Sequence, residues 1–426
     1  MGAAATHDEA VTAGSAAPAE VVVAPMAETA RPTTGRAVAA FGFLLIAEFF
    51  YGWAWNTVDV LRPYIRDSLG LSLTQAGSAY SAQGAGALIG AIIMGQLADR
   101  FGRRNMLVVV MIGYGLMLIA GVGVTSYVTL LAQRFGLGLF LGGIFPIVVG
   151  IYVGLFSSNV RGRLASMINA TFSLSIVLLG LASGALAGRD WHLLLWLGGV
   201  PPILLAFAAY MIIPPSADRG VERASKLPIF ELFAHGVRRR TVMLASLTGL
   251  NFFAYQSYSG WLTIYLTDIR HLPALAIGKL VAWQFSGNIA GGFFWGWAGD
   301  RFGRRFNALG FLIAAAAIVV YLSVPTNLAT LSVIGCIYGF MLSASVIWGP
   351  WITELYPAHL KSTAASIFNW GRIVSFFAPL VTGFLAGSYG LASTMMLASA
   401  TFAVAGVLWL CLPETHAKPL LPGRRV

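Results

Sequence analysis

Four charged side chains lie within long apolar stretches of this chain, where an isolated charge is energetically unfavourable. They are Glu48, Asp59, Arg134 and Arg372. At the centre of an apolar membrane helix such a group costs about 2.5–3.5 kcal/mol on insertion scales unless it faces a cavity or a partner. The chemistry open to these groups is ion pairing, anion binding and proton uptake.

The two arginines predict an anion site. A guanidinium keeps its charge when buried, and its planar fork can hold a carboxylate by two hydrogen bonds. No acidic residue is obvious near Arg372, so we interpret it as a contact for a negatively charged substrate. Two interpretations of Arg134 stay open: substrate contact, or a structural partner of Asp59, which should lie at a similar depth.

The two carboxylates are the candidates for proton coupling. A coupling site needs a titratable group whose protonation responds to burial and to nearby charge. The six histidines all fall in predicted loops or at helix ends, which leaves Glu48 as the first candidate and Asp59 as the second. For both, a permanent ion pair with arginine is the alternative.

Amide, phenol and indole side chains at mid-depth are candidates for the rest of a binding pocket. Amides and phenols orient a ligand by hydrogen bonds, and indoles cover its apolar part. The same residue types also anchor helices at membrane interfaces or join them to each other. The candidates are Tyr51, Trp55, Asn56, Gln83, Tyr255, Gln256, Trp261, Gln284, Trp348, Trp351 and Asn369.

Composition predicts that these residues are positioned by membrane-spanning helices. The chain is 58% hydrophobic and 10% charged, with a mean hydropathy of +0.77, which leaves too little polar surface for a soluble globule. A span takes about 20 apolar residues. Twelve runs qualify: 37–61, 74–97, 105–125, 128–156, 163–187, 191–213, 241–267, 274–298, 306–324, 328–353, 362–387 and 390–412.

A repeated phrase divides these runs into two sets of six. The phrase reads Gly-Gln-Leu-Ala-Asp-Arg-Phe-Gly-Arg-Arg at 95–104 and Gly-Trp-Ala-Gly-Asp-Arg-Phe-Gly-Arg-Arg at 296–305. A second pair of similar segments is Ala165–Asn169 and Ala365–Asn369. Matched segments at nearly one offset indicate a duplicated half. We therefore expect a disordered cytoplasmic tail at 1–35, six-helix bundles at 36–213 and 241–412, a cytoplasmic linker at 214–240 and a cytoplasmic tail at 413–426.

Charge placement predicts the orientation. With the N-terminus in the cytoplasm, 20 of the 27 lysines and arginines lie on the cytoplasmic side and five on the outer side, as the positive-inside rule requires. The net charge of +11 then reflects topology and contacts with anionic lipid, so we expect no nucleic-acid partner.

The remaining chemistry is sparse. Cys336 and Cys411 both fall inside predicted helices, no Cys/His pair has metal-ligand spacing, and no Gly-x4-Gly-Lys-Ser/Thr sequence occurs. We expect no metal, no cofactor, no enzymatic activity and no ATP-driven step within the chain.

The repeated phrase resembles the signature that the major facilitator superfamily carries between helices 2 and 3 and between helices 8 and 9. That resemblance implies an all-α fold of twelve transmembrane helices in two pseudo-symmetric halves, with helices 1, 4, 7 and 10 around a central cavity that Glu48, Asp59 and Arg134 could share. It also implies gating contacts at the cytoplasmic helix ends, where Asp99 with Arg103, and Asp300 with Arg304, would latch one conformation. A basic turn kept for topology is the alternative.

Further phrases resemble the metabolite and aromatic-acid:proton symporters of that superfamily. Glu354-Leu-Tyr-Pro357, the Arg372 position and Leu412-Pro-Glu-Thr415 resemble their closing helices, and we include Glu354 among the gating residues. The Asp-Gly-x-Asp pair of the aromatic-acid group is absent from the first run. The fifth run lacks the Gly-Pro pair of drug antiporters, which favours uptake.

The sequence therefore predicts a proton-coupled importer of a small organic anion, such as a carboxylate or an aromatic acid. We expect a monomer in the cell inner membrane that works by alternating access. Two alternatives stay open: a proton-driven exporter of amphipathic compounds, and a membrane sensor that binds a metabolite without moving it.

Overall fold

The computed structural model describes residues 34–156, 158–214, 229–234, 236–356, 364 and 367–415, and all the secondary structure in these ranges is helical. The N-terminal tail, most of the linker and the C-terminal tail that the sequence predicts lie outside the described residues.

The first set of helices runs to residue 212. It comprises α1 (Thr34–Val60), α2 (Arg62–Leu69), α3 (Leu73–Phe101), α4 (Arg103–Ala120), α5 (Tyr127–Leu155), α6 (Ser158–Ala182) and α7 (His192–Ile212). Capping boxes start two of them, because Ser72 exchanges hydrogen bonds with Gln75 before α3 and Ser126 does so with Thr129 before α5. Such reciprocal bonds satisfy backbone donors that the first helical turn leaves unpaired.

The second set begins at residue 238. It comprises α8 (Arg238–Tyr258), α9 (Ala274–Phe302), α10 (Ala308–Ser323), α11 (Leu328–Leu342), α12 (Trp348–Glu354), α13 (Ile367–Tyr389) and α14 (Leu391–Cys411). After α8 the chain stays helical but irregular, through a 3₁₀ turn at Ser259–Trp261 and a π turn at Tyr265–Ile269.

The repeated phrase forms the same turn twice. Gly102 ends α3 with φ 91°, and Gly303 ends α9 with φ 102°. A side chain is strained at such angles, so glycine at these places lets each long helix stop. Helical structure resumes at the next residue, as α4 after Gly102 and as a 3₁₀ turn at Arg304–Asn307 after Gly303.

Among the described residues, ten helices are long and apolar enough to cross a membrane. They correspond to ten of the twelve predicted runs. The other two runs, 241–267 and 274–298, correspond to α8 and α9, which are long helices but are not among these ten.

Helix packing repeats from one set to the other. The pairs α1–α6, α3–α5 and α4–α7 pack together in the first set, and α8–α13, α9–α11 and α10–α14 in the second. Close approach depends on small residues, since a Cβ added at Gly86 or Gly90 of α3 would collide with backbone of α5. The buried apolar side chains form two clusters, one mainly within 41–213 and one within 232–412.

The two sets meet along α3–α13 and α6–α9. Their contacts include Gly77 with the backbone of Pro379 and Gly184 with Leu275. These residues lie near the C-terminal end of α1, and we call this side of the bundle the Val60 end. The opposite side, where α3 stops, is the Phe101 end.

Candidate functional site

Glu48 and Arg372, which belong to different helix sets, lie close enough to interact electrostatically. Glu48 lies midway along α1 and is only 3% exposed. Its Oε2 atom is buried without a hydrogen-bond partner, and Arg372 of α13 is the cation that acts on it electrostatically. Arg372 is half-buried. The sequence had suggested no acidic neighbour for Arg372; the structure supplies one from a helix more than 300 residues away.

Aromatic rings lie close to Arg372. Phe145 of α5 and Phe252 of α8 each lie 5.7 Å from the guanidinium carbon of Arg372, measured to the ring centroid. The Tyr51 hydroxyl lies within hydrogen-bonding reach of Arg372, and its ring packs against Trp55 at 5.9 Å. A cation among aromatic faces suits a planar or unsaturated anion.

Asp59, Arg62 and Arg134 form a second charged group at the Val60 end. Asp59 makes an ion pair with Arg62, and Arg134 adds a favourable electrostatic interaction. Arg134 is 1% exposed and donates from Nη1 to the Thr57 hydroxyl over 3.0 Å. These contacts agree with the interpretation of Arg134 as a structural partner of Asp59, although the residue that pairs directly with Asp59 is Arg62.

The two carboxylates therefore lie at different depths. Eleven residues separate Glu48 from Asp59 on α1, which is about 16 Å along a helix axis. Glu48 interacts with Arg372, whereas Asp59 interacts with Arg62 and Arg134; the single pocket that the sequence suggested for Glu48, Asp59 and Arg134 stays a prediction.

A small cavity of about 20 Å³ adjoins Asp59. Asn56, Tyr255 and Gln284 line it, among others. Gln284 donates to the Ser259 hydroxyl over 3.0 Å, while its Oε1 is buried without a partner. A space of this size accommodates about one water molecule, not an organic substrate.

Four other predicted pocket residues serve as helix contacts. Gln83 of α3 donates to the carbonyl of Trp55 over 2.9 Å. Trp261 is fully buried beneath Arg62. Trp348 and Trp351 are not brought to the central group, because their rings pack against Trp409 of α14, with centroids 5.2 and 5.5 Å apart.

Two predicted residues cannot be placed in this way. The side chains of Asp99 and Asn369 lie outside the described residues, so the pair that Asp99 was predicted to form with Arg103 stays a prediction. Arg103 itself is buried and donates from Nη1 to the Gly150 carbonyl over 3.0 Å.

The second copy of the repeated phrase carries a charged network at the Phe101 end. Arg304 donates from Nη1 to Asp300 over 2.6 Å, and from Nε and Nη2 to the two carboxylate oxygens of Glu354 over 3.2 and 2.7 Å. Glu414 accepts from the backbone N–H groups of Arg304 and Arg305, both at 2.9 Å. The predicted pairing of Asp300 with Arg304 is thus present, with Glu354 as a further partner.

Sequence reasoning missed Arg62, Phe145 and Phe252. Arg62 follows Asp59 by three residues, one helical turn, and that spacing is a signal for an ion pair. The two phenylalanines carried no signal, because a phenylalanine in an apolar helix is indistinguishable from ordinary core or lipid-facing residues.

Two arginines of α2, outside the spans, differ in their environment. Burial lowers the pKa of Arg62, and Asp59 offsets this only in part. Burial also opposes the charge of Arg66, but hydrogen bonds to Asp268 and Asp67 outweigh it and raise the pKa of Arg66. Both stay cationic, because a guanidinium group is not deprotonated in proteins.

Within the described part of the chain, no group of three or more histidine, cysteine, aspartate and glutamate side chains is arranged to hold a metal ion.

Known proteins resemble this chain in sequence over most of its length. The family model described as Major Facilitator Superfamily matches residues 44–283 and 244–425. The cis,cis-muconate transport protein of Acinetobacter baylyi is 27% identical over 389 residues, which are 87% of this chain and 92% of that protein. From the same organism, the niacin transporter NiaP is 24% identical over 90% of this chain and 96% of its own, and the 4-hydroxybenzoate transporter PcaK is 24% identical over 82% and 85%.

Solved structures share the fold. A bacterial homolog to the human lysosomal transporter Spinster, in an inward-facing and unoccupied conformation, superposes with a TM-score of 0.75 at 17% identity. The alignment covers 89% of this chain and 97% of that one.

Proposed function

The chain belongs to the Major Facilitator Superfamily, and on that premise we propose that it takes up a small organic anion together with protons. It is a multi-pass membrane transporter and not an enzyme. The observation that carries the proposal is the electrostatic interaction of Glu48 with Arg372, which brings a titratable carboxylate within range of a guanidinium group.

Arg372 is the anion site in this proposal. Its guanidinium fork matches a carboxylate, and the rings of Phe145 and Phe252 offer apolar faces to the remainder of the substrate. The names of the relatives agree with this chemistry, since muconate, niacin and 4-hydroxybenzoate are all carboxylates at neutral pH. We therefore propose an unsaturated or aromatic carboxylate as the substrate class.

Glu48 couples the proton to the substrate. Burial opposes a charge on Glu48, and the Arg372 charge offsets this only in part. A bound carboxylate would engage that same guanidinium and bring a second negative charge close to Glu48, in a medium where like charges repel strongly. Glu48 then takes up a proton, so that substrate and proton bind together and leave together.

Alternating access would arise from two six-helix bundles that rock about the central site. We propose bundles at 36–213 and 241–412, joined by the linker 214–240 and flanked by cytoplasmic tails at 1–35 and 413–426. Support comes from the helix pairs that repeat in the two sets and from the two apolar clusters. In this arrangement α8 and α9 complete the twelve membrane helices, and the Phe101 end faces the cytoplasm.

Uptake into proteoliposomes under an imposed pH gradient tests the proposal. With 4-hydroxybenzoate or cis,cis-muconate as the probe, we expect accumulation when the exterior is acidic, and loss of accumulation when a proton ionophore collapses the gradient. Accumulation only with the opposite gradient would support an exporter instead. Saturable binding without flux would support a membrane sensor.

A further inference from the structure

Arg62 joins the two helix sets at the Val60 end. It begins α2 and is only 2% exposed. One arm of its guanidinium pairs with Asp59, the other donates to the carbonyl oxygen of Gly260, and its charge lies over the Trp261 ring at 4.8 Å. A single side chain thus connects a carboxylate of the first set to the irregular turn that follows α8.

Asp59 is held from the opposite side as well. Gln256 of α8 donates from Nε2 to both carboxylate oxygens of Asp59, each over 2.9 Å. The Thr263 hydroxyl donates to the backbone carbonyl of Asp59 over 2.7 Å. Nearer the rim, Arg66 pairs with Asp268.

The buried charged residues around Asp59 all come from one of the two helix sets. Asp59, Arg62 and Arg134 belong to the first helix set, while the second set contributes only a neutral amide, a hydroxyl, a carbonyl and an indole. Separating the two sets would leave Asp59 with both of its arginines, so no buried ion pair would have to break. The Arg66–Asp268 pair does cross between the sets, but it is partly exposed and water can replace it.

We propose that Asp59, Arg62, Gln256 and the Gly260 carbonyl form a reversible gate at the Val60 end, with Arg62 as its positioning residue. The gate rests on the proposed alternating access, but not on the direction of transport or the identity of the substrate. Because the second helix set contributes only neutral partners, the closed state has a specific geometry but requires little free energy to open. Each hydrogen bond contributes only modestly once water can replace it.

Thiol labelling tests the gate without substrate. The reporter is a cysteine at Leu262, which is buried and lines the small cavity beside Asp59, on a background in which Cys336 and Cys411 are replaced by serine. A membrane-impermeant maleimide is applied separately to each face of the membrane. We expect Arg62→Gln and Gln256→Ala each to raise the labelling rate from the Val60 face about tenfold, as expected for the loss of one or two such hydrogen bonds. Arg62→Lys should fall between Arg62→Gln and the parent.

Arg189→Gln is the matched control, because Arg189 is an exposed arginine near the same face; its labelling rate should equal that of the parent. Size-exclusion elution identifies the folded variants. If Arg62→Gln does not fold, Gln256→Ala decides alone, since it removes no charge. An unchanged labelling rate in folded Gln256→Ala would overturn the gate. Failed uptake with faster labelling would leave the gate standing and count against the proposed function.

Discussion

At the scale of single residues, Arg372 offers the sharpest test of the proposed anion site. Arg372→Lys keeps the charge but loses the planar fork, so carboxylate binding should weaken by about 10- to 100-fold, as expected for a lost charge-assisted hydrogen bond. Equilibrium binding of the substrate to purified protein measures this. Arg189→Lys, at an exposed site, should bind like the parent. Equal affinity in Arg372→Lys would remove Arg372 from the site.

Substitution of Glu48 should abolish proton coupling while substrate movement across the membrane persists. Glu48→Gln retains the size and polarity of the side chain but cannot release a proton, so accumulation driven by a pH gradient should disappear. Exchange of labelled for unlabelled substrate should persist, because exchange needs no net proton movement. The two fluxes are compared in the same proteoliposomes. A variant that still concentrates substrate would move the coupling role to Asp59 or elsewhere.

At the scale of helices, Arg304, in the turn after α9, has two acidic partners that differ in exposure, Asp300 of α9 and Glu354 of α12. The Asp300 side chain is 73% exposed, whereas that of Glu354 is 34% exposed and accepts the Arg304 fork at two oxygens. Exposed pairs contribute about 0–1 kcal/mol, while a bidentate, partly buried pair contributes more.

We therefore expect Glu354→Gln to lower the stability of the purified protein by about 1–2 kcal/mol and Asp300→Asn by less than about 0.5 kcal/mol. Thermal unfolding in one detergent compares the two variants. A larger loss in Asp300→Asn would show that the exposed pair, and not the Glu354 fork, holds the Phe101 end together.

At the scale of the whole molecule, we expect closure of the Val60 end to depend on the contact of α6 with α9. A Cβ at Gly278 would collide with the backbone of Gly180, whereas one at Gly292, on the same helix, would meet open space. Gly278→Ala should therefore disfavour the closed Val60 end and increase labelling of a cysteine at Leu262 from that face. Gly292→Ala is the matched control, because it changes helix propensity equally. Identical labelling in the two variants would show that α6 and α9 need not touch for closure.

Much of the architecture follows from the sequence because it depends on properties of continuous segments of the chain. Hydropathy over about 20 residues indicates a span whatever the span packs against, and ten predicted runs are matched by candidate spans. Both copies of the repeated phrase end a long helix, at Gly102 and at Gly303. The Asp300–Arg304 pair was predictable for the same reason, since an i,i+4 spacing brings two side chains together on any helix.

Only the tertiary structure decided which distant residues meet. Glu48 lies opposite Arg372, and Asp59 accepts from Gln256, because α1, α8 and α13 have a particular rotation and depth relative to one another. Hydropathy is insensitive to both quantities, since a helix surrounded by lipid or by other helices needs apolar residues on every side. For that reason the sequence predicted Trp348 and Trp351 as pocket residues, whereas in the structure they pack against Trp409 in the bundle core.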